Sequence, residues 1–128
     1  MVHALHRIHT ALDSGGVLID TQPVSGHPPV SAGGRILGRP DMREWLRTVE
    51  AVDALLDETV KAGLYSVEGE QRFIVTDSWD TGPESAEMIA GWQGTRLSHT
   101  LARRIAAASP PLTIDQEVRL RILRRRQD

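Results

Sequence analysis

The chain has 128 residues, a formal charge of −2, no cysteine and few aromatic residues. That length supports one domain with a real core and not two. The near-neutral charge argues against a surface built for polyanions, and the lack of cysteine excludes disulfides, thiolate metal sites and a cysteine nucleophile.

No basic segment followed by an apolar one opens the sequence, and no stretch approaches the roughly 20 apolar residues of a membrane span. A soluble, cytoplasmic protein is therefore expected. In chain order, Val2, Leu5, Ile8 and Leu12 recur at helical spacing and mark an apolar face. Asp13-Ser14-Gly15-Gly16 stops that helix, because glycine accepts the left-handed cap geometry. Val17-Leu18-Ile19 is an apolar run of the kind found in a strand covered on both faces, as in parallel sheets.

From Gln22 to Asp41 prolines and glycines punctuate the sequence. Gly33-Gly34 between Val30 and Ile36-Leu37 predicts a small hairpin with a tight turn. A second helix carries Trp45, Leu46, Val49, Val52, Leu56 and Val60 on one face, with Arg43, Arg47, Glu50, Asp57, Glu58 and Lys61 mainly opposite. Asp57 and Lys61 form an i,i+4 pair in the favourable order, and Gly63 ends the element. In Leu64 to Trp79, Phe73-Ile74-Val75-Thr76 is rich in strand formers, and Gly69 marks a bulge or bend.

Thr81-Gly82-Pro83-Glu84 is a capping box with proline in the first turn, which starts a third helix running to about Trp92. A fourth, from about Arg96 to Ala107, uses Leu97, Leu101 and Ile105 and stops at Pro110-Pro111. Val118-Arg119-Leu120-Arg121-Ile122 alternates as a strand does, with helical spacing through Ile114, Val118 and Ile122 as the competing reading. The fold class is α/β: a small mixed sheet packed with about four helices in a single domain, residues 1–128.

Leu12-Asp13-Ser14-Gly15-Gly16-Val17-Leu18-Ile19-Asp20, following a helix, resembles the L-x-P-G-G-x-L passage before the fifth strand of class I S-adenosylmethionine-dependent methyltransferases, with Ser14 where the family usually has proline. Lys61-Ala62-Gly63-Leu64 is similar to the A-G-F that leads those enzymes into their sixth strand, and the closing alternating strand corresponds to the seventh. The resemblance covers nearly the whole chain, as the C-terminal half of that family. It implies a cofactor held by a glycine-rich turn after the first strand and by an acidic residue after the second. Those elements belong before the point at which this chain starts at Met1, and neither is expected here. No S-adenosylmethionine is therefore expected on the isolated chain, only where a partner completes the site.

The resemblance also implies that the fifth strand pairs with the seventh on one side and with a missing fourth strand on the other. Val17, Leu18, Ile19, Asp20 and Thr21 then form a bare apolar edge, an aggregation hazard unless covered. A two-fold dimer through that edge, a partner supplying the missing half, and the Gln22–Asp41 segment folding back are the three solutions.

Asp20, Gln22 and His27 follow that strand and are the candidate ligand-pocket residues, since loops after strand C-termini line the crevice of open α/β sheets. His3, His6 and His9 recur every third residue, and His9-x-x-x-Asp13 has ligand spacing, but the steps spread the rings around a solvent-facing flank, so no metal site is expected. His99 stands alone. Asp77-Ser78-Trp79-Asp80 sets an aromatic beside carboxylates, with Trp79 a core or interface anchor, and no Ser–His–Asp triad is supported for Ser25 and His27.

Arg119 and Arg121, interleaved with Leu120 and Ile122, read as the solvent face of the last strand. Arg124, Arg125 and Arg126 read as a solvated tail, without the aromatic platform of a nucleic-acid site. The expected role is a binding or assembly module working through the strand edge, as a homodimer or with a partner protein, and not a methyltransferase on its own. The alternatives are one half of a split methyltransferase completed by a second chain, and a weak nucleic-acid binder through the arginines.

Overall fold

Among the described residues, four helices and five strands follow the order α1 (Val2–Ala11), β1 (Val17–Pro23), β2 (Val30–Ala32), β3 (Arg35–Gly38), α2 (Arg43–Lys61), β4 (Tyr65–Trp79), α3 (Gly82–Ala90), α4 (His99–Ala107) and β5 (Leu112–Arg125). They are seen in a computed structural model that describes residues 2–13 and 15–126, with side chains from residue 7 onward, so Ser14 of the glycine motif, His3 and His6 lie outside the described side chains. The described residues are mixed α/β with four helices, as patterning led one to expect, and their five strands form an antiparallel sheet. The strand order is β1-β5-β2-β3, with β4 also paired to β5. The C-terminal segment is a strand of 14 residues, which decides between the two readings of its periodicity.

Local chemistry explains most boundaries. Gly33 and Gly34, at φ +58° and +79°, form the two-residue turn between β2 and β3. Positive φ at both positions gives the primed turn whose twist matches that of the strands. At the end of α2 the Leu64 amide bonds to the Thr59 carbonyl and the Gly63 amide to that of Val60, both at 3.0 Å. This is a Schellman cap closed by a left-handed residue, which Gly63 supplies at φ +81°. Thr81 caps α3, its hydroxyl accepting from the Glu84 amide at 3.3 Å. β4 continues through Gly69 as one strand of 15 residues.

The chain divides into two compact units. One comprises Met1–Gln22, Thr48–Arg72 and Arg119–Asp128, the other Pro23–Arg47 and Phe73–Val118. In the first, Leu56, Tyr65 and Leu123 form the buried core, with Leu12, Leu18, Val52, Leu55, Val60 and Leu64 packed around them. In the second, Val30, Ile89, Leu101, Ile105, Leu112 and Ile114 are buried, and Leu37, Trp79, Trp92 and Leu97 complete the cluster. Trp79 is thus a core residue, tilted against Trp92 with ring centroids 6.1 Å apart.

β1 corrects one expectation. Its apolar run is not covered on both faces: Leu18 packs into the core, while Val17 is 41% and Ile19 59% exposed. An antiparallel sheet needs cover on one face only, so a continuous apolar run leaves alternate residues in water. Phe73, Ile74 and Val75 of β4 are likewise exposed.

Burial separates residues of equal size. Ile105 is wholly buried and Ile74 is 63% exposed, so Ile105→Ala is expected to cost about 2–5 kcal/mol. Ile74→Ala is expected to stay within about 0.5 kcal/mol of the parent. Urea unfolding of the two variants measures the difference.

Candidate functional site

Three groups of side chains stand out, each inside one unit. The first is apolar. Pro23, the last residue of β1, lines a cavity of 370 Å³ with Met42, Trp45, Trp92, Gln93 and Gln116. Trp45 lies in the first turn of α2, where its indole N–H donates to the Pro23 carbonyl at 3.1 Å and fixes the ring. Gly94, at φ +73°, brings its backbone against Trp45: a side-chain carbon there would stand 2.7 Å from the Trp45 amide nitrogen.

Gln116 occupies the row of β5 that also carries Leu112, Ile114 and Val118, all buried, and is itself 9% exposed. Its Nε2 meets the Met42 sulfur at 3.8 Å, a weak acceptor. Sequence reasoning passed over this residue. The signal was present, since an amide interrupts an otherwise apolar alternation, but alternation was read only from Val118 onward. Trp45 was read only as part of the apolar face of the second helix, and nothing in the sequence places it in one cavity with Trp92.

The second group is ionic and belongs to the other unit. Arg119 donates to both oxygens of Asp53, at 2.9 and 2.6 Å, with Asp20 Oδ2 3.9 Å and Glu70 Oε1 3.7 Å from its guanidinium. Arg121 lies 3.5 Å from Asp57 and 3.7 Å from Asp53. This corrects the reading of Arg119 and Arg121 as a solvent face: their side chains are only 10% and 11% exposed. The reason lies on α2, where Asp53 and Asp57, one turn apart, meet the two arginines of β5.

Asp20 and Gln22 fall in this group, and the Gln22 amide donates to Asp20 Oδ1 at 3.0 Å. Asp20 Oδ2 and Arg119 Nε are buried without a hydrogen-bond partner. Of the three sequence candidates, Asp20 and Gln22 are therefore brought together, whereas His27 belongs to the other unit and is exposed.

The third group surrounds the start of α2, where Asp41, Arg43, Glu44, Arg47 and Arg96 line a polar cavity of 260 Å³. Asp41 takes three contacts from the Arg43 guanidinium, at 2.8, 3.0 and 3.2 Å, and the Arg43 amide at 3.0 Å. The Arg43 side chain, then its backbone N–H, hold the Asp41 carboxyl well below the usual range, with His27 adding a smaller pull.

The remaining candidates are engaged elsewhere. Ser25 accepts the Glu117 amide at 2.8 Å, which anchors β5 rather than preparing a nucleophile. His9 is buried against Tyr65, edge to face at 5.4 Å, not on a solvent flank. It lies three residues before Leu12 and so extends the apolar stripe. Among the described residues no cluster of histidine and carboxylate suits a metal ion.

Arg124 pairs with Glu68 at 2.5 Å and donates to the Gly15 carbonyl, and Arg125 donates to the Leu12 carbonyl. The arginines to residue 125 thus end a strand rather than form a solvated tail. The positive-φ glycines 15, 33, 34, 63 and 94 close helices, the hairpin and a loop. None of them leads from a strand into a helix.

Two measurements test these assignments. Arg119→Met leaves the partly buried carboxylates of Asp53 and Asp20 uncompensated and is expected to cost about 1–3 kcal/mol in urea unfolding, part of which the added substitution Asp53→Leu restores. Asp41 and Glu68 both have depressed carboxyl pKa values, each chiefly through a side-chain bond to its arginine. Their stabilisation is therefore full above the ordinary carboxylate range and lost as pH falls through the lower folded values. The thermal midpoints of the parent and an Asp41→Asn, Glu68→Gln variant should differ at neutral pH and converge in strong acid.

No family model matches this sequence, and a search of curated proteins finds no match.

Proposed function

We propose that the chain is a binding and assembly module, without catalysis of its own, and that its β1 edge pairs with the same edge of a second copy. The observation that carries this is the position of Ile19. β1 ends the strand order, with β5 as its strand neighbour. The bonds from Arg125 N to Gly16 O and from Val24 N to Glu117 O turn the even-numbered residues of β1 toward β5. By the alternation of an antiparallel ladder, Val17, Ile19 and Thr21 direct their N–H and C=O groups to the open edge.

A two-fold axis at Ile19 sets Ile19 beside its own copy and Val17 beside Thr21, each pair exchanging both backbone bonds. The exposed side chains of Val17 and Ile19 then join into one apolar strip. Leu18 would stand beside Asp20, whose carboxylate is already held by Gln22 and lies near Arg119, so no like charges are opposed across the junction. Open edges invite such pairing, and an isologous contact is self-complementary by symmetry.

The methyltransferase resemblance is supported by strand order as well. It implies that the closing strand pairs with the strand after the Gly-Gly turn, and β5 pairs with β1 and with β4. In this reading the chain uses the sheet of that family for assembly. Polyanion binding has less support, since Arg119, Arg121 and Arg124 are taken up by carboxylates.

Sedimentation equilibrium is the test. The parent is expected to be a dimer at micromolar concentration and Ile19→Lys a monomer with an unchanged melting midpoint, because Ile19 is 59% exposed in the single chain. A parent chain that stays monomeric at high concentration overturns the proposal.

A further inference from the structure

We infer that the cavity between Trp45, Trp92 and Gln116 binds an uncharged planar heterocycle bearing an adjacent N–H and C=O on one edge, a lactam. None of the edge residues Val17 to Thr21 lines this cavity, and the inference does not rest on assembly. Three observations carry it. The cavity is lined by Pro23, Met42, Trp45, Trp92, Gln93 and Gln116, so among the described residues no ionisable side chain lines it, and burying a charge there would be unfavourable. Its 370 Å³ falls within the roughly 300–1,000 Å³ of small-molecule sites, which are apolar pockets with a few placed polar groups.

The two indoles are held in place before any ligand arrives. Trp45 is fixed by its bond to the Pro23 carbonyl, and Trp92 packs against Trp79. They offer π surface to a flat ring at little conformational cost.

Gln116 gives the specificity. The residue is nine-tenths buried, and the partner of its amide is a thioether at 3.8 Å. A primary amide carries two donors and an acceptor, so both sides of its hydrogen-bonding capacity remain to be used. A lactam edge meets it in a two-bond pair: the ligand N–H donates to Gln116 Oε1 and the ligand carbonyl accepts from Gln116 Nε2. Sites that hold such groups reject analogues lacking the donor far more strongly than they reject a change of size.

The probe is lumazine, a bicyclic lactam, with 1,3-dimethyllumazine as its donor-free counterpart, titrated calorimetrically into the parent and into Gln116→Leu. Leucine suits the apolar row of Leu112, Ile114 and Val118, so the variant is expected to fold, which its amide NMR spectrum checks. Lumazine should bind the parent at least tenfold more tightly than the dimethyl compound, and this preference should vanish in Gln116→Leu. Binding should also shift the Gln116 side-chain amide resonances. No binding of lumazine at millimolar concentration, equal binding of the two compounds, or a preference that survives in Gln116→Leu overturns the inference.

Discussion

β5 pairs with β1, β2 and β4, and its register therefore decides what each neighbouring strand can bury. Because side chains alternate, a slip of one residue would turn every position to the opposite face. In one unit the register puts Leu112, Ile114, Gln116 and Val118 into buried positions, and in the other it does the same for Arg119 and Leu123. Bonds outside the ladder pin it as well: the Ser25 hydroxyl holds the Glu117 amide, and Arg124 reaches the Gly15 carbonyl. A strand held this firmly can carry polar groups at buried positions without sliding to expose them.

The two buried polar residues of that strand, Gln116 and Arg119, have different partners. Arg119 is matched by the two-oxygen contact with Asp53 and by Asp20 and Glu70 nearby. Removing either side of such a pair is costly, although the pair as a whole adds little compared with an apolar replacement. Its effect is to tie β5 to α2 in one arrangement. Gln116 has no comparable match, since a thioether does little for an amide. Its amide is placed where two fixed indoles leave room beside it.

How much of this was legible in the sequence follows the range of each interaction. The Thr81 capping box, the Gly33-Gly34 turn and the Gly63 cap depend on residues a few positions apart, and the described structure has all three. The apolar row of α2 is similarly local. The last strand was legible from Val118 to Ile122, but its face assignment was not: Arg119 and Arg121 look solvated until Asp53 and Asp57, more than 60 residues earlier, are brought against them. Asp20 and Gln22 were read together and do stand together, because they are two residues apart on one strand. His27 could not be placed from the sequence, as it lies beyond the strand in a segment of prolines and glycines. The cavity brings Trp45 and Trp92 to one lining from positions 47 residues apart in sequence, which no local pattern encodes.

The β1 edge and the Gln116 amide share one physical problem, unused hydrogen-bonding capacity, but they call for different solutions. Edge groups are in water and lose little by remaining there. Pairing them gains through the apolar strip of Val17 and Ile19 more than through the bonds themselves, since each new bond replaces one to water. The Gln116 amide lines a largely apolar cavity, where a hydrogen bond to a matching ligand is worth more than one made in open water. Association through β1 should therefore be driven by apolar burial and tolerate polar change at its margins. Binding at Gln116 should depend on the donor and acceptor of one small edge.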